Sequence, residues 1–374
     1  MAFSEAFSYY IITRVFLMPF KSLLWILSFS LLLVGCDKPE VKPPTVGVLT
    51  QTPTDNFEQV TPNNRLHFPK DHGEHPRFKT EWWYLTANLT AENGEQYGVQ
   101  WTQFRVATGS HDQKGWGTPQ VYMAHLVVSG RHGVKYAERF ARGGIGQAGV
   151  QASPYRIWLD NWTWQSTGDT PFPGVLTFED GAMAGELSVV NKGELVLHGD
   201  KGYSKKHPAE DRASYYFSAP FLQLQGTLVV DGETLKVSGE GWYDREWSSS
   251  MLSAEQQGWD WFSIHLDDGS ALMAAQIRAK DKKAYSFGSR SWPDGRVIPL
   301  NSEEIYLTPI SYSTIDGKVL PLKWRIDIPS QEIKLSVGVE RKQQWLPFSF
   351  PYWEGAISVK GSHNGRGFME LTGY

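Results

Sequence analysis

The sequence predicts an all-β protein made of two related units, and three observations carry that prediction. The 374 residues include 16 Trp, 36 Gly and 21 Pro, which suits many strands joined by tight turns. Short β-prone runs recur at regular intervals with turn residues between them, the spacing of a barrel or sandwich. No long stretch keeps a 3.6-residue apolar period, so helix content is expected to be low. One hairpin pattern occurs twice. Thr80-Glu81-Trp82-Trp83-Tyr84 passes through Asn93-Gly94 to Trp101-Thr102-Gln103-Phe104-Arg105, and Trp259-Asp260-Trp261-Phe262 passes through Asp268-Gly269 to Gln276-Ile277-Arg278.

The chain opens with a different kind of segment. Leu24 to Val34 is apolar, follows Lys21 and is shorter than the roughly 20 residues that span a bilayer. Leu33-Val34-Gly35-Cys36 resembles a bacterial lipobox. That resemblance implies cleavage before Cys36, lipidation of its thiol, and residues 1–35 as a signal peptide, with Met18 as the expected true start. Cys36 is the single cysteine, so no intrachain disulfide can form. Asp37 follows, the residue that retains enterobacterial lipoproteins at the inner membrane. The expected location is the periplasmic face of that membrane, with the outer membrane as the alternative. Residues 36–64, with Pro39, Pro43, Pro44, Pro53 and Pro62, read as a lipidated, extended tether. The two folded units are expected at 65–250 and 251–374.

Within the first unit, Glu81 to Thr90 and Gln96 to Val106 form a hairpin, because Asn-Gly tolerates the positive φ of a tight turn. Trp82 and Trp83 must face opposite sides of that sheet. Val121 to Val128 is a further strand, and Arg139 to Gly146 reads as a Gly-rich turn. Short strands follow at 156–160, 162–165, 174–178, 182–190, 194–198, 213–218, 222–230 and 234–239. Gly241 to Ser250 is the densest polar–aromatic cluster, lying where the first unit hands over to the second. After the second hairpin come strands at 284–289, 323–328, 332–339 and 352–359. The run from Gly367 to Tyr374 is expected to close the second unit.

The net charge is −4 and basic residues form no long runs, which argues against a nucleic-acid partner. The glycines at 143–146 lack the strand-to-helix context of a dinucleotide loop, and no Gly-x-Ser-x-Gly elbow is present. No cofactor is expected. His72, Glu74 and His75 could reach metal-ligand number only if His125 or His265 converged on them, so no metal site is assigned.

His72-Gly73-Glu74-His75-Pro76, Thr80-Glu81-Trp82-Trp83-Tyr84, Gln103-Phe104-Arg105, Met123-Ala124-His125-Leu126, Asp244-Arg245-Glu246-Trp247 and Glu370-Leu371-Thr372-Gly373-Tyr374 together resemble the lipocalin-like "predicted secreted hydrolase" group. This group belongs with carotenoid 1,2-hydratase (hydroxyneurosporene synthase) and the Att-type proteins found beside ABC transporter genes. The resemblance runs from about Leu66 to Tyr374 and implies two consecutive lipocalin-like β-barrels. It also implies a hydrophobic or amphipathic small-molecule ligand, with an inner-membrane ABC transporter as expected partner. The hydratase branch implies an acid that protonates an alkene, and the matching position here is Asp244, where burial would keep the carboxyl protonated. Arg245 follows, where many relatives have His.

Three functions follow from this reading: a carrier of an apolar ligand, a hydratase or hydrolase, and an interaction module without a ligand. The expected catalytic set is Asp244 with Glu246, Tyr243 and His125. The expected ligand-binding set is Trp82, Tyr84, Trp101, Arg105, Trp242, Trp247 and Trp261. Each has a structural counterpart: an Arg245–carboxylate lock between barrels, a satisfied core His125, and Arg105 and Arg278 stacked on aromatics.

Overall fold

A computed structural model of the chain describes residues 57–109 and 113–374. The apolar segment from Leu24 to Val34, Cys36, Asp37 and residues 38–56 lie outside the described residues. Among the described residues, three single 3₁₀ turns at Lys70–His72, Gly115–Gly117 and Pro329–Gln331 accompany strands alone.

The first unit holds thirteen strands. They are β1 (Thr80–Ala91), β2 (Gln96–Ala107), β3 (Gln120–Gly130), β4 (Gly133–Arg142), β5 (Ala148–Ala152), β6 (Tyr155–Leu159) and β7 (Trp162–Ser166). They continue with β8 (Gly174–Asp180), β9 (Met183–Asn191), β10 (Val196–Leu197), β11 (Tyr203–Lys205), β12 (Ala213–Val230) and β13 (Glu233–Ser248). Their sheet order is 4-3-2-1-13-12-9-8-7-6-5, with β10 and β11 paired onto β12. The second unit holds β14 (Gln256–Leu266), β15 (Ala271–Ala279), β16 (Lys282–Ser291), β17 (Val297–Leu300) and β18 (Tyr306–Ile315). Then follow β19 (Lys318–Ile328), β20 (Ile333–Val339), β21 (Trp345–Leu346), β22 (Tyr352–Gly361) and β23 (Gly365–Thr372). Its order is 17-16-15-14-23-22-20-19-18, with β21 on β22.

Each sheet curls into a near-barrel around its own core. Trp83, Trp101, Trp164, Phe217, Tyr243 and Trp247 fill the first interior, and Phe262, Trp324, Trp353 and Leu371 fill the second. Alternation along the strands sorts the side chains. Trp83 joins the first interior while Trp82 packs with a separate cluster between the barrels. In the first barrel β1 lies between β2 and β13, in register from Thr80 opposite Ser248 to Ala91 opposite Val237. β14 lies equivalently between β15 and β23. The last strand therefore closes the second unit, as its sequence implied.

Some details differ from the sequence reading. The runs at 213–218 and 222–230 fuse into β12, with a register shift between Ala219 and Leu222. Pro220 has no N–H for the ladder, which favours a bulge there. Arg139 to Arg142 belong to β4, and the glycine turn begins at Gly143. Residues 57–64 dock on the first barrel instead of extending the tether. Phe57 is buried, Thr61 N–H donates to the Tyr215 hydroxyl at 3.0 Å, and the Ser249 hydroxyl donates to Glu58 O at 2.5 Å.

The barrels pack with β1 and β2 against β22 and β23. Asn88 Nδ2 donates to Gly367 O at 3.2 Å, and Gln100 Nε2 donates to the Tyr352 hydroxyl at 3.1 Å. Gly98 permits the close approach, since a Cβ there would lie 2.6 Å from Ser129 Oγ and 3.3 Å from the Phe368 ring.

Candidate active site

A cavity of about 360 Å³ lies between the barrels. Aromatic rings line it from both sides: Trp82, Tyr84, Phe104 and Tyr216 from the first barrel, Trp259, Trp261, Phe287, Phe350 and Tyr352 from the second unit. Its exposed lining residues are Thr108, Phe140 and Ser349, which mark the side that faces solvent. Three carboxyl groups line this apolar space, buried Asp244 and Glu246 and half-buried Glu370, and a fourth, buried Glu354, lies behind the lining residue Tyr84.

Asp244 is opposite Tyr84 on β1 and Ser218 on β12, so its side chain shares the outer face with Tyr84. Its Oδ1 accepts from Trp242 Nε1–H at 2.7 Å and from the Ser218 hydroxyl, and its Oδ2 pairs with the Tyr216 hydroxyl at 2.9 Å. Burial pushes the carboxyl up, the three hydrogen bonds oppose it, and Asp244 is left at about 7. Ser218 has one proton and gives it to Asp244, so His198 Nε2–H donates to Ser218 Oγ at 2.6 Å. His198 Nδ1 then accepts from the Ser289 hydroxyl at 3.2 Å. Burial, with Lys206 nearby, drives His198 down to about 3 and keeps it neutral.

The Tyr216 oxygen also receives Trp261 Nε1–H at 3.2 Å. When Asp244 carries its proton on Oδ2, that proton bonds the Tyr216 oxygen and the phenolic proton is free to turn towards the cavity. The pair can thus present an acidic proton to a bound molecule from either atom.

Glu246 stands on the same face two residues on. Lys206 Nζ lies 2.8 Å from its Oε1, the Ser214 hydroxyl donates to it, and the ammonium sits over the rings of Tyr216 and Phe287 at 4.8 and 4.2 Å. Burial pulls Lys206 down from the usual lysine range, against the pull of Glu246. Across the cavity, Glu370 Oε1 accepts from Trp259 Nε1–H at 2.8 Å, and Glu354 Oε1 accepts from the Tyr84 hydroxyl at 2.5 Å. Burial raises Glu370 to about 8. Burial and neighbouring Glu370 push Glu354 well above the carboxylate range.

The structure brings together Asp244, Glu246, Trp82, Tyr84 and Trp261 on the cavity wall, with Trp242 behind Asp244 as a donor and Arg105 at the edge. Other expected residues are elsewhere, because strand alternation turns them inwards. Tyr243, Trp101 and Trp247 lie inside the first barrel, so none of them assists Asp244 or lines the cavity. Tyr243 packs on Trp164 and Phe172, and Trp247 stacks on His75 at 3.8 Å. His125 stands one residue back, with Nδ1 2.9 Å from the Tyr352 hydroxyl and Nε2 3.1 Å from Glu138. Burial lowers its pKa against the pull of Glu138.

Arg245 points away from Asp244 and does not pin the barrels together. It meets Glu81 and stacks 3.9 Å over Trp83 inside the first barrel. Glu81 also binds Arg105 Nε–H at 2.8 Å and His75 Nδ1 at 2.6 Å. Burial pushes Glu81 up, but Arg245, Arg105 and His75 outweigh it and hold the carboxyl well below its usual range. Arg105 is therefore an ion-pair partner; the aromatic stacking expected of it falls to Arg245 and to Arg278, 3.9 Å over Tyr374.

The loop residues weighed as metal ligands are also engaged singly: Glu74 accepts from the Tyr122 hydroxyl at 2.7 Å, and His265 Nε2 donates to Pro220 O at 2.5 Å. Elsewhere His207, Glu210 and Glu255 cluster. There His207 Nδ1 accepts the N–H groups of Ala209 and Glu210, so Nε2 carries the proton and cannot ligate a metal in that tautomer.

Lys206, Tyr216, Ser218, His198, Glu354 and Glu370 were missed as site residues. A signal existed for Glu370, an acid in the apolar run Gly367-Phe368-Met369-Glu370-Leu371 opposite the repeated Trp.

The profile of the AttH-like family matches residues 59–374. The fold is similar to that of a protein assigned as AttH from Nitrosomonas europaea, at 33% identity over 85% of this chain and 99% of that one, with a TM-score of 0.76. Kievitone hydratase from Nectria haematococca is 16% identical over 86% of this chain and 98% of that one, with a TM-score of 0.61, a likeness of fold alone. No functionally curated protein matches the chain. Two lipocalin-like near-barrels in this order, and a family match spanning nearly all the described residues, make the chain a member of the AttH-like family.

Proposed function

We propose that the cavity between the barrels binds a hydrophobic or amphipathic small molecule and that Asp244 is the acid of a hydration or dehydration carried out there. The observation that carries this reading is a carboxyl held at about 7 on the wall of an aromatic cavity. A proton donor matched to neutral pH and shielded from bulk water is what protonation of a carbon–carbon double bond requires. The proton of Asp244, directly or through Tyr216, adds to one alkene carbon as the π pair forms the C–H bond. Water oxygen bonds to the other carbon, and the proton that water loses restores a cavity carboxyl; the reverse sequence eliminates water. The hydratase name of one fold neighbour points the same way.

The lipobox at Cys36 supports a lipid-anchored protein on the periplasmic side of the inner membrane. We also propose an inner-membrane ABC transporter as partner, as the resemblance of the sequence motifs to Att-type proteins implies; co-purification of the anchored chain with transporter subunits tests it.

The activity is tested by incubating lipid and metabolite extracts with the wild type and with Asp244→Asn in heavy-oxygen water. A product that differs from its precursor by one water, carries the heavy oxygen and depends on Asp244 is the expected result. Identical extracts with and without active protein would remove the catalytic reading.

A further inference from the structure

The two barrels place a carboxylate at equivalent points of the cavity. Glu246 is directly opposite Trp82 on β1, and Glu370 is directly opposite Trp261 on β14. One strand further, Tyr216 stands beside Glu246 and Glu354 beside Glu370. In the first half the protein supplies its own cation, since the Lys206 ammonium sits on Glu246 between the Tyr216 and Phe287 rings.

The second half has the carboxylates and the rings but, among the described residues, no Lys, Arg or His paired with either acid. Glu354 and Glu370 face each other across the β22–β23 ladder, where like charges destabilise. Glu354 Oε2 is fully buried and has no hydrogen-bond partner. Each acid receives one neutral donor, Tyr84 or Trp259. Tyr84, Trp259 and Trp261 present aromatic surface beside them, and aromatic faces next to carboxylates are the usual surroundings of an organic ammonium.

We propose that the Glu370 end of the cavity, with Glu354 directly behind it, is a subsite for an ammonium group carried on an apolar ligand, seated as Lys206 is seated on Glu246. The proposal rests on the reading of the cavity as a ligand site. An ammonium there would replace the proton that the two acids otherwise hold, and its apolar body would lie against Trp82, Trp261 and Phe350 towards the open side.

Benzylamine and benzyl alcohol, equal in shape and soluble without partitioning strongly into micelles, serve as probes of the full chain in detergent. Binding is followed by calorimetry. The expected result is at least tenfold tighter binding of the amine, with Glu370→Gln or Glu354→Gln abolishing that preference while alcohol affinity stays unchanged. Two variants are used so that one which fails to fold leaves the other to decide. Equal affinities in the wild type would overturn the subsite and leave the cavity a ligand site. Binding of neither probe to folded protein would overturn both readings.

Discussion

Replacing Glu81 with Gln tests the inner lock that holds the site's first strand in place. Glu81 is fully buried, and its two oxygens serve Arg105 at 2.8 Å, Arg245, and His75 at 2.6 Å. The amide would keep the volume but leave two guanidinium groups buried without their counter-charge. Arg105 would retain the carbonyls of His75 and Phe78 and the Gln120 side chain, and Arg245 the carbonyls of Gly73 and Trp82. Breaking a buried pair from one side costs about 3–5 kcal/mol, and the retained carbonyls place this case towards the lower figure. Urea unfolding followed by tryptophan fluorescence would measure it, and a first-barrel transition moved by less than about 1 kcal/mol would refute the reasoning. The pH dependence has a definite sign. Because the folded pKa is depressed, the stabilisation is present above the usual value of 4.5 and is lost only as the pH falls through the lower folded value.

Lys206→Met would strand Glu246 in the cavity wall and destabilise by about 3–5 kcal/mol, and adding Glu246→Gln should recover most of that in a double-mutant cycle. Asp244 behaves oppositely to Glu81: its folded pKa is raised, so stability falls as the pH rises from 3.8 towards about 7. Asp244→Asn should flatten that part of a thermal-midpoint profile, and an unchanged slope would count against a buried protonated Asp244. Ala275→Phe, pointing a ring into the space beside Trp261, should abolish probe binding while changing stability by about 1–3 kcal/mol at most. Arg278→Met removes the pair with fully buried Asp260 at 3.2 Å, and because Gln276 and Tyr374 still donate to that carboxylate the loss should be about 2–4 kcal/mol in the same urea assay.

The fold was legible because strand alternation and turn chemistry are local. Asn93-Gly94 and Asp268-Gly269 marked the two hairpins, and both strand pairs form there. β4 escaped because Tyr136, Glu138 and Phe140 make its outer face half polar and partly exposed, leaving only Ala137 and Ala141 as an inward signal. Asp244 and Glu246 stand out in a polar–aromatic cluster and the family resemblance points to Asp244 as the acid, but alternation alone could not say which face meets a cavity. That depends on the packing of one barrel against the other. The same limit misplaced Trp101, Tyr243 and Trp247, which have the composition of a ligand wall and the position of a core. Lys206, just after β11, meets the cavity and Glu354 on β22 lies behind its wall; both are remote in sequence, and no local pattern connects them with Asp244.

Isotope-edited infrared titration of the Asp244 carboxyl tests the proposed chemistry most directly. A protonated carboxyl band that persists through mildly acidic pH, disappears around pH 7 and is absent from Asp244→Asn is the predicted result. A band already lost near the model-peptide value of about 4 would mean that Asp244 is an ordinary carboxylate at neutral pH, and the cavity would have no acid at that position.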